Sequence, residues 1–264
     1  MVIIMNEKNL IKYYNKFNED KRLTHRHGIV EYTTTMKYIN YYLKKYNLSK
    51  ILEIGAGTGR YSIELDNNGY DVSAVELVKH NLMTLKAKNN HVKAYQGNAT
   101  NLSIFKDKTF DMVLIFGPLY HLINEKDKIK AIMEAKRVLK DNGIIMISYY
   151  MNEYAVIKHG FMENNIIRAI KNNEIDSNFH ITPKEDDLYS MVRLEDINKY
   201  KKICKLKRIK ILAQDGPSDY IRPYINKMTK EEFDIYIKYH LSVCEKKELL
   251  GASSHVLDIL KKQP

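Results

Sequence analysis

Short apolar runs alternate with longer segments of helical apolar spacing through the first 150 residues of the chain. Runs without polar alternation predict strands covered on both faces, and apolar positions recurring every three or four residues predict helices. The predicted strands are residues 51–54, 71–75, 91–95, 110–116 and 144–150. The predicted helices are residues 6–20, 28–46, 61–68, 78–88 and 127–140. This alternation predicts a parallel sheet with helices on both of its faces.

The helix predicted over residues 127–140 has an apolar side and a marked end. Its apolar side is formed by Ile129, Ile132, Met133 and Leu139. The turn-forming sequence Asp141-Asn142-Gly143 then predicts a helix stop before the next strand.

The regular alternation stops after Tyr150. Residues 151–190 are polar and mixed, with Pro183 and a charged run, and this composition predicts an inserted lid. Helical spacing returns in residues 194–203 and 217–248. Residues 206–214 and 253–260 predict two late strands.

No internal repeat or low-complexity stretch divides the chain, so we expect one continuous fold with additions. We expect an N-terminal helical cap over residues 1–46 and a ligand-binding core over residues 47–150. A lid insertion over residues 151–193 follows. Residues 194–264 complete the core sheet and carry a helical insertion at about 217–250.

The composition fits a globular protein of the cytoplasm. Apolar residues make up 44% of the chain and charged residues 28%, which excludes wholesale disorder. No apolar run reaches the roughly 18 residues that span a bilayer, and the first residues lack the basic start of a signal peptide. Cys204 and Cys244 are not spaced for a zinc site or a disulfide framework, so no metal is expected.

The net charge of +11 is typical of a nucleic-acid-binding surface, but its make-up argues otherwise. Only eight of the 43 basic residues are Arg, the preferred residue for bidentate phosphate recognition. The chain is rich in Lys, Ile, Asn and Tyr together, which a general compositional drift would produce. The basic run Lys199 to Lys210 is accordingly interpreted as a solvated edge. Salt-dependent RNA binding would be needed to reverse this interpretation.

The strongest chemical signal follows the first predicted strand, in the segment Glu53-Ile54-Gly55-Ala56-Gly57-Thr58-Gly59-Arg60. Glycines at a strand-to-helix turn let the backbone approach a ligand, and ligands of open α/β sheets bind at this edge. A dinucleotide site has G-x-G-x-x-G spacing, whereas this chain has G-x-G-x-G followed by Arg60. The carboxylate of Glu53 also repels pyrophosphate and suits a cationic ligand. A dinucleotide is therefore the weaker interpretation.

The same segment resembles the first motif of class I S-adenosylmethionine-dependent methyltransferases, and further segments match in order. Glu76 resembles the acidic residue that binds the ribose hydroxyls, and Gly97-Asn98-Ala99 resembles the segment that faces the adenine. Residues 110–115 resemble the fourth-strand motif, and residues 134–143 resemble the segment before the fifth strand. Residues 254–257 resemble the antiparallel seventh strand of that family.

This resemblance implies a Rossmann-like α/β fold, with a seven-stranded, mostly parallel sheet, helices on both faces, N-terminal helices and helical lid insertions. It implies S-adenosylmethionine as the cofactor. The cofactor-binding residues it implies are Glu53, Gly55, Ala56, Gly57, Gly59, Arg60, Glu76, Leu77, Asn98, Ala99, Phe116 and Gly117. Asn98 replaces the commoner acidic residue, so recognition of adenine would depend on an amide that both donates and accepts.

The segment Phe116-Gly117-Pro118-Leu119-Tyr120-His121 stands where the family places residues beside the methyl group. Tyr120 and His121 are the candidate catalytic residues; the alternative for both is packing and capping of the helix. Gly117 stands where DNA-adenine methyltransferases have Asn or Asp, and the Pro-Cys of cytosine-C5 enzymes is absent, which disfavours base methylation. The candidates for contact with substrate or lid are Tyr14, His25, Arg26, Tyr149 and Tyr150.

The expected function is methyl transfer from S-adenosylmethionine to a small-molecule acceptor held under the helical cap. We expect a monomer or homodimer without a membrane partner. Two alternatives stay open. One is an RNA (tRNA or rRNA) methyltransferase that uses the Lys-rich surface, and the other is a non-catalytic regulator that binds S-adenosylmethionine.

Overall fold

The computed structural model describes residues 5–15, 24–89 and 91–263. Part of the first predicted helix, residues 16–20, and residues 22–23 of the polar segment after it lie outside the described residues. Within the described ranges, no helix combines the length and apolar character needed to cross a bilayer.

The described residues form one seven-stranded sheet in the order β3-β2-β1-β4-β5-β7-β6. Its strands are β1 (Lys50–Ile54), β2 (Asp71–Glu76), β3 (Lys93–Gln96), β4 (Phe110–Ile115), β5 (Leu139–Tyr150), β6 (Leu206–Ala213) and β7 (His255–Lys262). The first five strands run parallel, and β7 lies antiparallel to both β5 and β6. The predicted fold class, including the late antiparallel strand, is confirmed.

The helices connect the strands and cover the sheet. They are α1 (Met5–Tyr14), α2 (Arg26–Tyr46), α3 (Arg60–Asn67), α4 (Lys79–Lys88), α5 (Pro118–His121), α6 (Glu125–Val138), α7 (Asn152–Ala155), α8 (Ile166–Lys171), α9 (Leu194–Ile203), α10 (Arg222–Ile225) and α11 (Lys230–Val243). A π-helical segment, Val156–Met162, follows α7, and two 3-10 turns cover Gly216–Ser218 and Lys247–Leu249.

Each face of the sheet has its own apolar core, as the uninterrupted apolar strands predict. On one face, α2, α3 and α4 bury Leu43, Leu65 and Leu85 against the strands. On the other face, α6 and α9 bury Ile132 and Ile197. Helices on both faces leave the carboxyl edge of the parallel strands open to a ligand.

The predicted helix stop at residues 141–143 is wrong. Helix α6 ends at Val138, and β5 already begins at Leu139. Leu139 pairs with Phe110 and Ile144 pairs with Met112, so residues 140–143 form an irregularity within the strand. Asn142 adopts a φ of 63°, a left-handed conformation that Asn tolerates better than most residues. The Asn-Gly signal therefore marks a kink in a strand.

The predicted apolar side of α6 is also partly wrong. Met133 is 45% exposed. The buried side is rotated by one position and contains Lys128, Ala131, Ile132 and Ala135. A lysine on the buried side of a helix is unusual, because an ammonium requires hydrogen-bond acceptors there.

Candidate active site

A cavity of about 710 Å³ lies at the carboxyl ends of β1, β2 and β4. The strand order reverses between β1 and β4, and open α/β sheets bind ligands at such a switch point. The cavity wall includes every residue that the resemblance assigns to the cofactor: Glu53, Gly55, Ala56, Gly57, Gly59, Arg60, Glu76, Leu77, Asn98, Ala99, Phe116 and Gly117. Tyr14, Tyr120 and His121 line the same cavity. The structure thus brings the predicted cofactor residues and three acceptor-side candidates together.

The glycine loop after β1 is shaped by backbone conformations that favour glycine. Gly55, Gly57 and Gly59 have φ values of 76°, 55° and 89°. A Cβ atom on Gly55 would stand 2.5 Å from Cδ of Pro118, and one on Gly59 would stand 2.8 Å from Cγ of Leu85. Two of these glycines are thus required both by conformation and by close packing.

Glu76 at the end of β2 is the carboxylate that organises this loop. Its Oε2 accepts a hydrogen bond from the backbone N–H of Gly57 at 2.7 Å, and its Oε1 accepts one from the N–H of Val78 at 2.8 Å. The side chain is buried and lines the cavity. These two bonds hold the carboxylate at the cavity wall, within reach of a ligand's hydroxyl groups.

Glu53 is the second buried carboxyl group of the cavity, and only 2% of it is exposed. Ser62 on α3 donates a short hydrogen bond to its Oε2. Burial raises the pKa of Glu53 to about 8, against the hydrogen bonds from Ser62 and with a smaller contribution from the charge of Glu76. A cation in the cavity would favour the ionised form. The structure thus places the carboxyl group of Glu53 on the cavity wall, mostly protonated while no cation lies beside it.

Asn98 forms the cavity wall after β3. Its Oδ1 accepts hydrogen bonds from the backbone N–H and the hydroxyl of Thr100, each at 2.9 Å. These bonds fix the side chain in a local turn, so the amide is held in place by its own loop.

Arg60 begins α3, and its guanidinium lies 4.4 Å from the ring centroid of Tyr32 on α2. This cation–π contact joins the long second helix to the start of the glycine-loop helix.

The cavity wall also contains a tyrosine–histidine pair whose members lie far apart in the sequence. The hydroxyl of Tyr14 lies 2.9 Å from Nε2 of His121, and Nδ1 of His121 lies 2.8 Å from the carbonyl oxygen of Leu188. A carbonyl oxygen can only accept, so Nδ1 carries a proton. In the neutral ring Nε2 is then the acceptor for the Tyr14 hydroxyl. Helix α1 and the segment around Leu188 are thereby joined over the cavity.

Tyr120 adds a ring beside this pair and is fixed by the end of the preceding strand. Its hydroxyl donates to the carbonyl oxygen of Phe116 at 3.0 Å. Its ring centroid lies 4.8 Å from that of His121 and 6.3 Å from that of Tyr189. The hydroxyl bond and the ring packing agree with the alternative stated for Tyr120, which is packing and capping of the helix.

Four residues predicted at the substrate or lid do not line this cavity. Tyr149 is buried in the core and its ring packs against Tyr200 of α9, because successive residues of β5 face opposite sides of the sheet. Tyr150 stacks on His255 with ring centroids 5.3 Å apart, one layer behind Tyr120.

The other two, His25 and Arg26, lie at the start of α2. His25 is exposed and stacks on His27. Arg26 donates to the carbonyl oxygens of Ile225 and Met228, at 2.8 and 2.5 Å. Arg26 thus anchors α2 to α10 and the loop after it, which is a structural position away from the cavity wall.

Two polar features of the structure have no counterpart among the predictions made from the sequence. The first is Lys128, whose place on the apolar side of a predicted helix was a usable signal. The second is Glu31, Asp215 and His255, whose ligand-type atoms all lie within 4.8 Å of one another. No local sequence pattern predicts this cluster, because its residues come from α2, the turn after β6 and the start of β7.

Hydrogen bonds to the Asp215 carboxylate hold most of the Glu31–Asp215–His255 group in place. His255 Nδ1 lies 3.1 Å from Oδ2 of Asp215, and the backbone N–H of His255 donates to Oδ1 at 3.0 Å. Ser253 and Ser254 donate their hydroxyls to the same carboxylate. Burial alone would raise the pKa of Asp215, but these bonds and the charge of His255 lower it to about 2. The group therefore forms a buried ion-pair network beside Tyr150.

A doubly wound sheet with a glycine loop at its switch point is an architecture that binds nucleotide-containing ligands. Residues 52–147 match the family model described as a methyltransferase domain. These residues are a methyltransferase domain, and S-adenosylmethionine is the cofactor that the match implies.

Curated relatives match about half of the chain. A ubiquinone biosynthesis O-methyltransferase of Rickettsia typhi is 26% identical over 152 residues, covering 54% of this chain and 61% of that protein. A glycine/sarcosine N-methyltransferase of Aphanothece halophytica is 31% identical over 126 residues, covering 45% and 46%. The chain thus spans about half the length of the curated relatives it matches.

Solved structures share the fold over nearly the whole chain. A Thermotoga maritima protein described as a SAM-dependent methyltransferase, possible histamine N-methyltransferase, aligns with a TM-score of 0.59 at 16% identity, covering 98% of this chain and 100% of that one. A SAM-dependent methyltransferase of Archaeoglobus fulgidus aligns with a TM-score of 0.53 at 16% identity, covering 86% and 94%. At 16% identity these alignments show that the folds are alike.

Proposed function

We propose that this protein transfers the methyl group of S-adenosylmethionine to a small-molecule amine. The observation that carries the proposal is one continuous cavity. Its wall runs from the glycine loop and Glu76 to the Tyr14–His121 pair, with α1 and the loop residue Glu185 also contributing to it. A cofactor and a small acceptor would therefore share one enclosed space.

The residues of the cavity fit the cofactor. Glu76 would receive ribose hydroxyls, the glycine loop would let the chain approach the amino-acid part, and Glu53 would face its cationic groups. The sulfonium of S-adenosylmethionine supplies an activated methyl group and a neutral leaving group. The protein then has to supply proximity and alignment, which are worth roughly 7–11 kcal/mol in favourable intramolecular cases.

The Tyr14–His121 pair would remove a proton from the acceptor. An amine attacks only as the free base, so a cationic acceptor must lose a proton first. His121 donates the N–H of Nδ1 to the Leu188 carbonyl oxygen and presents Nε2 as an acceptor to the Tyr14 hydroxyl. In the proposed reaction the Tyr14 oxygen accepts the acceptor's proton while its own proton passes to Nε2. We also propose that α1 and the segment around Leu188 act as the lid of the site.

The charges of the cavity support an amine over a polyanion as the acceptor. Among the described residues, the cavity wall contains four carboxyl residues besides the mostly protonated Glu53, and two basic ones: Glu64, Glu76, Asp127 and Glu185 against Arg60 and Lys88. The whole chain has the opposite balance, with a net charge of +11. An acidic cavity attracts cations and repels phosphate. This favours a small amine over an RNA acceptor.

The test combines cofactor binding with product detection. Calorimetry with S-adenosylmethionine should show binding by the parent protein and none by Glu76→Ala or Gly57→Arg. The matched control is Asp71→Ala, an exposed carboxylate at the opposite end of the same strand as Glu76. Equal binding by the parent and Glu76→Ala would show that the cofactor site is elsewhere.

Turnover is followed with methyl-labelled S-adenosylmethionine and a panel of glycine, sarcosine, histamine and a catechol. The expected result is label in an amine, dependent on Glu76, with formation of S-adenosylhomocysteine. Label in the catechol alone would contradict the amine proposal. Tight cofactor binding with no labelled product from this panel or from a metabolite extract would favour the non-catalytic regulator.

A further inference from the structure

Lys128 is a buried ammonium beneath the helix that carries His121. Only 2% of the residue is exposed. Its Nζ donates to the carbonyl oxygen of Leu119 at 2.7 Å, to the carbonyl oxygen of Leu122 in a short bond, and to Oγ of Ser190 at 3.0 Å. Burial lowers the pKa of Lys128 to about 7. The three oxygen acceptors nevertheless match the three N–H donors of the ammonium form.

Two of these bonds hold the short helix α5 at its end. A four-residue helix leaves its last carbonyl groups without partners inside the helix. Lys128 donates hydrogen bonds to the carbonyl oxygens of Leu119 and Leu122, which flank Tyr120 and His121. The backbone N–H of Ser190 donates to the carbonyl oxygen of Tyr120 at 2.8 Å. The orientation of α5 therefore depends on Lys128 and Ser190 together.

The third bond holds the segment that orients the His121 ring. Ser190 follows Leu188 by two residues, and the carbonyl oxygen of Leu188 receives Nδ1 of His121 at 2.8 Å. Helix α1 contacts the same segment, because Nδ2 of Asn9 donates to the carbonyl oxygen of Asp186 at 3.2 Å. Lys128 thus connects both sides of the His121–Leu188 hydrogen bond to helix α6.

We propose that Lys128 is a positioning residue that fixes the tautomer of His121 by tying α5 to the 188–190 segment. The ring nitrogen that carries the proton is set by the partner of that nitrogen. A displaced Leu188 carbonyl would let the proton move to Nε2, which could then no longer accept from Tyr14. The inference depends on the proposed function only where it assigns a catalytic benefit to this tautomer.

The test measures the tautomer of His121 directly, by nitrogen-15 NMR of the imidazole rings in the full-length protein. The His121→Asn variant identifies the signals of His121 among those of the other histidines. In the parent protein we expect a protonated Nδ1 and an acceptor Nε2. In Lys128→Met we expect a mixture of the two tautomers. An unchanged His121 signal in folded Lys128→Met would overturn the proposal.

A matched control separates positioning from general stability. Lys136 lies two turns further along α6, and its Nζ also donates to a backbone carbonyl, that of Cys204 at 2.8 Å. Lys136→Met should lower stability without changing the His121 signals. An equal change of those signals in Lys136→Met would show that any loss on α6 disturbs the ring, and would refute a specific role of Lys128.

Ser190→Ala keeps the test decisive if Lys128→Met does not fold. This variant removes one acceptor of the ammonium and leaves its two carbonyl partners. We expect a partial shift towards the second tautomer, and a tautomer identical to the parent's would again overturn the proposal.

Two further measurements keep this inference apart from the proposed function. Binding of S-adenosylhomocysteine should stay within about twofold of the parent in Ser190→Ala, since Ser190 is no part of the cofactor wall. With a working acceptor, turnover should fall on the order of tenfold with little change in KM, because general-base catalysis depends on the correct tautomer. If no acceptor is ever methylated, the proposed function fails while the NMR result still decides the role of Lys128.

Discussion

At the scale of single residues, two buried carboxyl groups of this protein have pKa values displaced in opposite directions. Burial raises the pKa of Glu53 to about 8, because its hydrogen bonds from Ser62 only partly offset the loss of water. Asp215 is equally buried, but His255 and the serine hydroxyls outweigh burial and lower its pKa to about 2. The number and charge of the hydrogen-bond donors decide whether the pKa of a buried carboxyl group rises or falls.

The raised pKa of Glu53 predicts that cofactor binding depends on pH. Below pH 8 the free carboxyl group is mostly protonated, and a cationic ligand favours its ionised form, so binding should release a proton. The Kd for S-adenosylmethionine should fall from pH 6 to 7.5, by at most about tenfold per pH unit for one coupled proton. Calorimetry in buffers of different ionisation enthalpy measures this release.

The control is Glu53→Gln, which keeps the size of the side chain and cannot ionise. We expect weaker binding by this variant and a flatter pH dependence. A pH dependence as steep as that of the parent would assign the proton to another group.

The lowered pKa of Asp215 predicts a contribution to stability that acid removes. The pKa of Asp215 is about 2 in the folded state, against an ordinary value of 3.8. The ionised carboxylate therefore stabilises the fold at any pH above 3.8. This contribution is lost as the pH falls through the range from 3.8 to 2, and it amounts to about 2 kcal/mol. Urea unfolding at pH 7 should show Asp215→Asn destabilised by at least this order.

The exposed Asp71→Asn serves as the comparison, because its ion pair with Lys93 lies at the surface. Such pairs contribute roughly 0–1 kcal/mol. If both Asn variants unfold at the same urea concentration, the Asp215 network does not stabilise the protein.

At the scale of elements, the periodicity of apolar residues predicts most helices and strands but misplaces one junction. Helix α9 has the predicted bounds, Leu194–Ile203. The Asn-Gly sequence at residues 142–143 predicts a helix stop and instead lies in a kink of β5. An Asn-Gly pair favours left-handed backbone in either setting, so the sequence alone could not separate them.

Two glycines of positive φ should respond differently to substitution by alanine: Gly55 in the glycine loop and Gly69 after α3. Gly55→Ala would place Cβ at 2.5 Å from Pro118, whereas a Cβ on Gly69, at φ 87°, would meet no atom of the described residues within 4 Å. Gly69→Ala should cost about 1–2 kcal/mol from backbone strain alone. Gly55→Ala should add roughly 1–3 kcal/mol from overpacking and abolish cofactor binding.

Thermal unfolding and calorimetry with S-adenosylhomocysteine measure the two effects. Gly69→Ala should retain the parental Kd. Parental binding by Gly55→Ala would mean that Pro118 and the loop move apart freely, in conflict with a rigid cradle.

At the scale of the whole molecule, the charge of the surface and the charge of the cavity point to different partners. The chain has a net charge of +11, yet carboxyl groups outnumber basic groups among the described residues of the cavity wall. Much of the basic surface is paired locally, as Lys199 is with Glu125 and Arg208 with the buried Asp258. The overall charge is therefore a weak indicator of the acceptor.

This separation of charge predicts weak, non-specific contact with RNA. Filter binding with a tRNA mixture at increasing salt should show only low affinity that disappears near physiological ionic strength. RNA should not compete with S-adenosylhomocysteine for the cavity. Tight binding that survives this salt concentration would restore the RNA methyltransferase alternative.

The sequence by itself determined the fold class and the glycine loop, and its resemblance to a known family indicated residues that line one cavity. These features are encoded locally, since apolar periodicity sets strands and helices and glycine spacing sets the turn after β1. Every predicted cofactor residue accordingly lies on one cavity.

Only the tertiary structure decided which distant polar side chains meet at the cavity and behind it. Tyr14 and His121 are 107 residues apart, and Asp215 and His255 are 40 apart. Tyr149 and Tyr150 are neighbours in sequence, but the pleat of β5 sends the first into the core and the second towards His255. Contacts of this kind depend on how distant elements pack, and no local pattern of residues contains that information.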